Sequence, residues 1–129
     1  MIDFRVAKGG PPAYLQLVQQ VKQALRLGWL EPGDQLPTVH ELAASAAVNP
    51  NTVLKAYREL EREGLAVGRP GQGTFIVKSL TQLSPGAYAT LGRRLVAWIT
   101  AARSAGLDDE GICDLFAATF RDAGTAESA

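Results

Sequence analysis

The side chains with the most chemistry to offer fall in one stretch, Asn49-Pro50-Asn51-Thr52-Val53-Leu54-Lys55-Ala56-Tyr57-Arg58. At helical spacing Val53, Ala56, Tyr57 and Leu60 make an apolar stripe, and Asn51, Leu54, Lys55 and Arg58 fall on roughly the opposite side. An amide at Asn51 suits two-point pairing with adenine. Thr52 donates or accepts a hydrogen bond, Lys55 reaches guanine or phosphate, and Leu54 offers an apolar surface to a thymine methyl. A solvated helix face has much the same composition, so this stretch alone leaves both readings open.

A second set lies in Arg69-Pro70-Gly71-Gln72-Gly73-Thr74-Phe75. Arg69 and Lys78 flank this segment and Gln72 sits near its tip. Gly71 and Gly73 let backbone amides approach a phosphate or a groove wall, or serve the geometry of a tight turn alone. Other chemistry is scarce. His40 and Cys113 are the only residues of their types, so no intrachain disulfide and no Cys/His zinc site can form. A catalytic triad is not implied. RPGQGTF lacks the Lys-Ser/Thr of a P-loop. Cys113, beside Ile112, Leu115 and Phe116, reads as a small packed residue. No catalytic residue, metal or cofactor is expected.

These residues need elements to carry them. Ile2 to Val6 alternate loosely and suggest a short edge strand before the breaker Gly9-Gly10-Pro11-Pro12. AYLQLVQQVKQALRLG then reads as a helix, with Leu17, Val18, Val21 and Leu25 on one face. Gly28 is placed to end it in a left-handed cap. Thr38 and Glu41 match a capping box, opening a helix of roughly two turns that ends near Ala46 to Ala47. Val48 anchors the following turn. Asn49 and Pro50 suit the cap and first position of a third helix that stops at Gly64. Short helix, tight turn, longer helix is the helix-turn-helix pattern. Leu65 to Gly68 and Thr74 to Lys78 then read as the strands of a hairpin, a wing.

Two helices follow a linker, the first from about Ala87 to Ala105. Its face holds Leu91, Leu95, Trp98, Ile99 and Ala102. Asp108, Asp109 and Glu110 favour the start of the next helix, whose face holds Ile112, Leu115, Phe116 and Phe120. Two such helices bury too little apolar area to stand alone, so burial between subunits is expected. Trp98, Phe116 and Phe120 are also compatible with a small-molecule effector pocket, though nothing indicates an effector.

The chain has 129 residues and a formal net charge of +0. The charge is uneven: basic residues are in slight excess up to Lys78 and acidic ones beyond it. This weakly favours nucleic-acid contact by the first part. MIDFRVAKGG has no apolar core of a signal peptide, and no apolar run has membrane-spanning length. A cytoplasmic, nucleoid-associated location without membrane contact is expected.

Residues 12 to 77 resemble the DNA-binding domain of GntR-family regulators. The motifs are Leu30-Glu31-Pro32-Gly33-Asp34-Gln35-Leu36-Pro37, Glu41-Leu42-Ala43, Val48-Asn49-Pro50-Asn51-Thr52-Val53, Ala56-Tyr57, Leu60-Glu61, Glu63-Gly64-Leu65 and Gly71-Gln72-Gly73-Thr74-Phe75. The VNPNTV variant followed by two helices is similar to the YtrA subfamily, which lacks the large effector-binding domain. The resemblance implies a homodimer and repression of operons that often encode membrane transporters. His40 stands where many members carry a DNA-contacting arginine, and Pro50 and Leu54 where larger members carry others.

The sequence therefore predicts a mainly α fold with a small β-hairpin: a winged helix-turn-helix over 1–79, a linker over 80–86, a two-helix dimerisation element over 87–124 and a disordered tail over 125–129. The expected partners are double-stranded DNA and a second copy of the chain. Thr38, His40, Asn49, Asn51, Thr52, Lys55, Arg58, Arg69, Gln72 and Gly73 are the expected DNA contacts. Leu91, Leu95, Trp98, Ile99, Ile112, Leu115, Phe116 and Phe120 are the expected dimer contacts. The alternative is a winged-helix protein-interaction module that does not bind DNA.

Overall fold

The computed structural model describes residues 2–81 and 83–128, the side chains of 85 and 125–128 excepted. The elements in order are α1 (Ala13–Arg26), α2 (Val39–Ala46), α3 (Pro50–Arg62), β1 (Ala66–Arg69), β2 (Gly73–Ile76), α4 (Pro85–Ser104) and α5 (Asp109–Ser128). This is the mainly α arrangement with one hairpin that the sequence predicts. The chain divides into two compact units, Met1–Pro85 and Gly86–Ala129.

In the first unit α1 buries Leu17, Val18, Val21, Ala24 and Leu25, the face set by its three-and-four spacing. It ends where the sequence places Gly28. That glycine has φ 74, and the Trp29 N–H donates back to the Ala24 carbonyl at 2.8 Å. α2 starts with both halves of the Thr38–Glu41 capping box. It stops on Ala47, a non-glycine residue in the left-handed region at φ 55, with the Val48 N–H donating to Ala43 at 3.0 Å. Val48 packs on the core, as expected. α3 buries Val53, Ala56, Tyr57 and Leu60. Phe4, Leu36, Leu42, Leu65 and Ile76 join the faces of α1 and α3 in one core.

β1 and β2 pair antiparallel, from Ala66 opposite Ile76 to Arg69 opposite Gly73. They lie slightly off the expected ranges. The Val77 N–H still donates in register to the Leu65 carbonyl at 2.9 Å, but the Leu65 N–H donates to the Leu60 carbonyl at 3.0 Å, and the ladder ends there. The wing also has an unforeseen neighbour. Gln35 forms a bridge with Phe75, the Leu36 N–H donates to Thr74 at 2.8 Å, and the Ile76 N–H donates to Asp34 at 2.8 Å.

The expected edge strand over Ile2 to Val6 does not form. Its backbone partners are side-chain amides instead. Gln20 accepts from the Arg5 N–H at 3.0 Å and donates to the Arg5 carbonyl. Gln16 accepts from the Ala7 N–H at 2.8 Å and donates to the Ala7 carbonyl at 3.0 Å. Two glutamines one helical turn apart thus do what a neighbouring strand would do, and Phe4 is driven into the core.

In the second unit α4 and α5 are joined through Gly106 and Leu107. Arg103 pairs with Asp109 at 3.1 Å across the turn, and Asp108 caps α5 by accepting from the Gly111 N–H at 2.8 Å. Ala102 and Ile112 are buried near this turn. The tail expected over 125–129 lies outside the described side chains, while the helical backbone runs to Ser128.

Candidate nucleic-acid interface

The first turn of α3 is fixed from three directions. The Asn49 side-chain oxygen accepts from the Asn51 N–H at 2.8 Å, and Pro50 presets the first helical residue. The Tyr57 hydroxyl, on the buried face, donates to the Pro37 carbonyl at 2.6 Å. Burial pushes the Tyr57 phenol well above its ordinary range, and the Glu41 charge adds to this, so Tyr57 is a permanent donor. At α2 the Thr38 hydroxyl accepts from the Glu41 N–H at 3.1 Å. The hydrogen bonds that the Glu41 carboxylate receives from Thr38 hold it below the usual carboxylate range.

With the apolar face locked inward, Asn51, Lys55 and Arg58 are exposed, and Thr52 and Leu54 are half-buried. Thr38, His40 and Asn49 are also exposed. Two of these do structural work first, since Thr38 and Asn49 use their side-chain oxygens as caps. What Asn49 has left to offer DNA is its amide NH₂.

Lys55 lies against an aromatic ring. Its Nζ lies 4.1 Å from the centroid of the Tyr14 ring, at the start of α1. Arg69 is held the same way, its guanidinium carbon 4.7 Å from the centroid of Phe75 across the hairpin. Gln72 is exposed at the hairpin tip, where its N–H donates to the Arg69 carbonyl at 3.0 Å. The Gln35 side chain reaches across from the start of the helix-turn-helix and donates to the Gln72 carbonyl at 2.9 Å. Gly73, at φ +129, sits so close that a Cβ there would meet Gln35 Nε2 at 2.5 Å. The hairpin thus brings Arg69, Gln72 and Gly73 together at one end. Sequence reasoning missed the contacts of Tyr14 with Lys55, Gln35 with Gln72 and Phe75 with Arg69. Gln35 and Phe75 lie within the quoted motifs, but nothing in their spacing shows that they meet.

The two-helix unit leaves most of its expected contact face uncovered. Leu91, Leu95, Leu115 and Phe116 are 44–51% exposed and Phe120 is 69% exposed. Ile112 is buried, and Trp98 and Ile99 are half-buried. Trp98 and Phe116 meet at 6.5 Å between ring centroids, and Phe116 stacks on Phe120 at 5.9 Å. These rings line an open apolar groove of about 460 Å³ with Leu95, Leu115, Thr119 and Ala123. Cys113 does not pack as expected. It is exposed, although its neighbour Ile112 is buried.

Residues 13–76 match the family model for bacterial regulatory proteins of the gntR family. The chain is also 41% identical over 104 residues to the HTH-type transcriptional repressor YtrA of Bacillus subtilis (strain 168), covering 80% of each. The chain belongs to the GntR family of bacterial regulatory proteins. An HTH-type transcriptional regulator of Mycobacterium tuberculosis, Rv1152, is 48% identical over 69 residues, which span 54% of this chain and 57% of that one. Among solved structures, YtrA from Sulfolobus acidocaldarius, a GntR-family transcription factor, aligns with a TM-score of 0.54 at 31% identity, covering 74% of this chain and 99% of that one. The AraR DNA-binding domain in complex with operator ORX1 aligns with a TM-score of 0.53 at 28% identity, over 60% of this chain and 100% of that one. This GntR-family chain is a transcriptional regulator in class and not an enzyme. Among the described residues no helix is long and apolar enough to cross a membrane.

Proposed function

We propose that the chain is a sequence-specific DNA-binding transcriptional repressor that acts as a homodimer on an inverted-repeat operator. The observation that carries this reading is the start of α3. It is capped by Asn49 and locked by its buried face, and it presents Asn51 and Lys55 outward. Such a helix start lies along base edges in the major groove. Thr38, His40, Asn49, Thr52, Arg58, Arg69, Gln72 and Gly73 complete the contact surface. The AraR domain solved on its operator has the same fold, which supports the reading.

Residues 1–79 form the DNA-binding part, 80–86 the linker, whose last two residues already belong to α4, and 87–124 the dimerisation element. The uncovered Leu91, Leu95, Leu115, Phe116 and Phe120 support pairing of two copies, since an exposed apolar face of this extent favours burial. A two-fold dimer reads two half-sites related by the same symmetry. The proposal extends to repression of a transporter operon, as the resemblance to the YtrA subfamily implies, and to a cytoplasmic, nucleoid-associated location.

The test is a gel shift with DNA from upstream of the chain's own gene, at several salt concentrations. Absence of a sequence-specific complex at low salt overturns the reading. For the dimer, light scattering compares the intact chain with Phe120→Glu. Phe120 is so exposed in the single chain that a charge there leaves the fold intact, and the mass is expected to halve. A Phe120→Glu chain that keeps the wild-type mass overturns the assignment.

A further inference from the structure

We propose that Tyr14 is a positioning residue of the reading surface: its ring holds the Lys55 ammonium in place without neutralising it. The inference rests on the DNA-binding reading above. Lys55 is an exposed residue of α3 with a long, flexible stem, and a free ammonium there would sample many positions. Instead its Nζ lies 4.1 Å from the Tyr14 centroid. Tyr14 is half-buried and packs on the core, so the ring is a fixed platform.

The choice of partner matters. Three other cations of this unit are matched by carboxylates: Arg5 by Asp3, Lys22 by Glu63 and Arg62 by Glu59. A carboxylate partner fixes a cation and also cancels its charge. An aromatic face attracts the cation through its quadrupole and leaves the full positive charge to act outward. Among the described residues no carboxylate forms an ion pair with Lys55. Arg69 on Phe75 repeats the device in the wing. The two held cations are both residues that the sequence marks for nucleic-acid contact.

The experiment uses the full chain and the duplex that wild type enriches most from a random-sequence pool. Affinity is read by fluorescence anisotropy for wild type, Tyr14→Leu, Tyr14→Phe, Lys55→Ala and the Tyr14→Leu/Lys55→Ala double variant. Tyr14→Leu is expected to weaken binding about threefold to tenfold, the range of an exposed to partly desolvated cation–ring contact. Tyr14→Phe, which keeps the ring, is expected to stay within about twofold. In the Lys55→Ala background Tyr14→Leu is expected to cost nothing further. Equal losses in both backgrounds overturn the proposal, as does a Tyr14→Phe loss as large as that of Tyr14→Leu. A wild-type chain that enriches no sequence overturns the underlying DNA reading instead. One readout needs no variant. The Lys55 side-chain methylene protons of the free protein are expected to show an upfield ring-current shift by NMR, and ordinary lysine shifts there overturn the proposal.

Discussion

The Tyr57 hydroxyl of α3 donates a 2.6 Å hydrogen bond to the carbonyl of Pro37, the residue just before the α2 cap. One bond therefore ties the middle of the reading helix to the entrance of the helix before it. Tyr57→Phe removes the donor and leaves a part-buried carbonyl without it. The expected loss is about 1–3 kcal/mol, measured by urea unfolding, with the fold otherwise retained.

The turn between α2 and α3 pivots on Ala47 in the left-handed region, at φ 55. A side chain there costs roughly 1–2 kcal/mol, part of which glycine would return as extra freedom of the unfolded chain. Ala47→Gly is expected to raise the thermal midpoint modestly, and Ala47→Val to lower it sharply. Differential scanning calorimetry on both variants gives the comparison.

Glu59 is held at about 2, well below its ordinary 4.5, by hydrogen bonds from the Arg62 side chain. Glu41 is lowered as well, by its bonds from Thr38. As pH falls through this window the unfolded chain takes up protons that the folded chain refuses. Stability from Glu59 is therefore complete above about pH 4.5 and is lost toward about pH 2, and Glu41 contributes with the same sign. In Glu59→Gln the melting temperature is expected to fall less steeply over that interval than in wild type.

Gly73 is glycine chiefly for its φ of +129, since the Gln35 amide beside it is the end of a flexible side chain that can swing aside. Gly73→Ala is expected to destabilise the chain by about 1–3 kcal/mol. Removing the neighbour separates the causes. Gln35→Ala in the Gly73→Ala background removes a side chain that can swing aside in any case and leaves the backbone strain, so denaturant titration should show little recovery.

The two halves of the proposed interface are expected to fail differently. Asn51→Ala should cost about 1–3 kcal/mol on the preferred duplex and relax base preference at one position per half-site. Arg69→Ala should weaken all duplexes alike and lower the slope of log affinity against log salt by about one per site. Anisotropy titrations against matched and mismatched duplexes distinguish the two. A uniform loss from Asn51→Ala removes it from the reading set.

The helices and caps were legible because each rests on local rules. Leu17, Val18, Val21 and Leu25 repeat at helical spacing, and Thr38, Glu41, Asn49 and Pro50 bond within their own turn. What the sequence hid depends on residues far apart in the chain. The pairs Tyr14–Lys55, Gln35–Gln72 and Phe75–Arg69 carry no shared pattern until the fold brings them together. Ile2 to Val6 misled because the extended pattern was real, but Gln16 and Gln20 supply its partners. Cys113 misled because, of its apolar neighbours Ile112, Leu115 and Phe116, only Ile112 is buried in the single chain.

The bridge from Gln35 to Phe75, with the backbone bonds of Asp34 and Leu36 to β2, makes the entrance of α2 an extra edge of the wing. A lone two-stranded ribbon would pivot freely, and a partner would bear the entropy of stilling it. Here the ribbon and the helix pair form one stiff jaw, set to its gape before anything is gripped. A force on the hairpin tip is therefore felt at α2, and widening the jaw means breaking sheet hydrogen bonds rather than swinging a hinge.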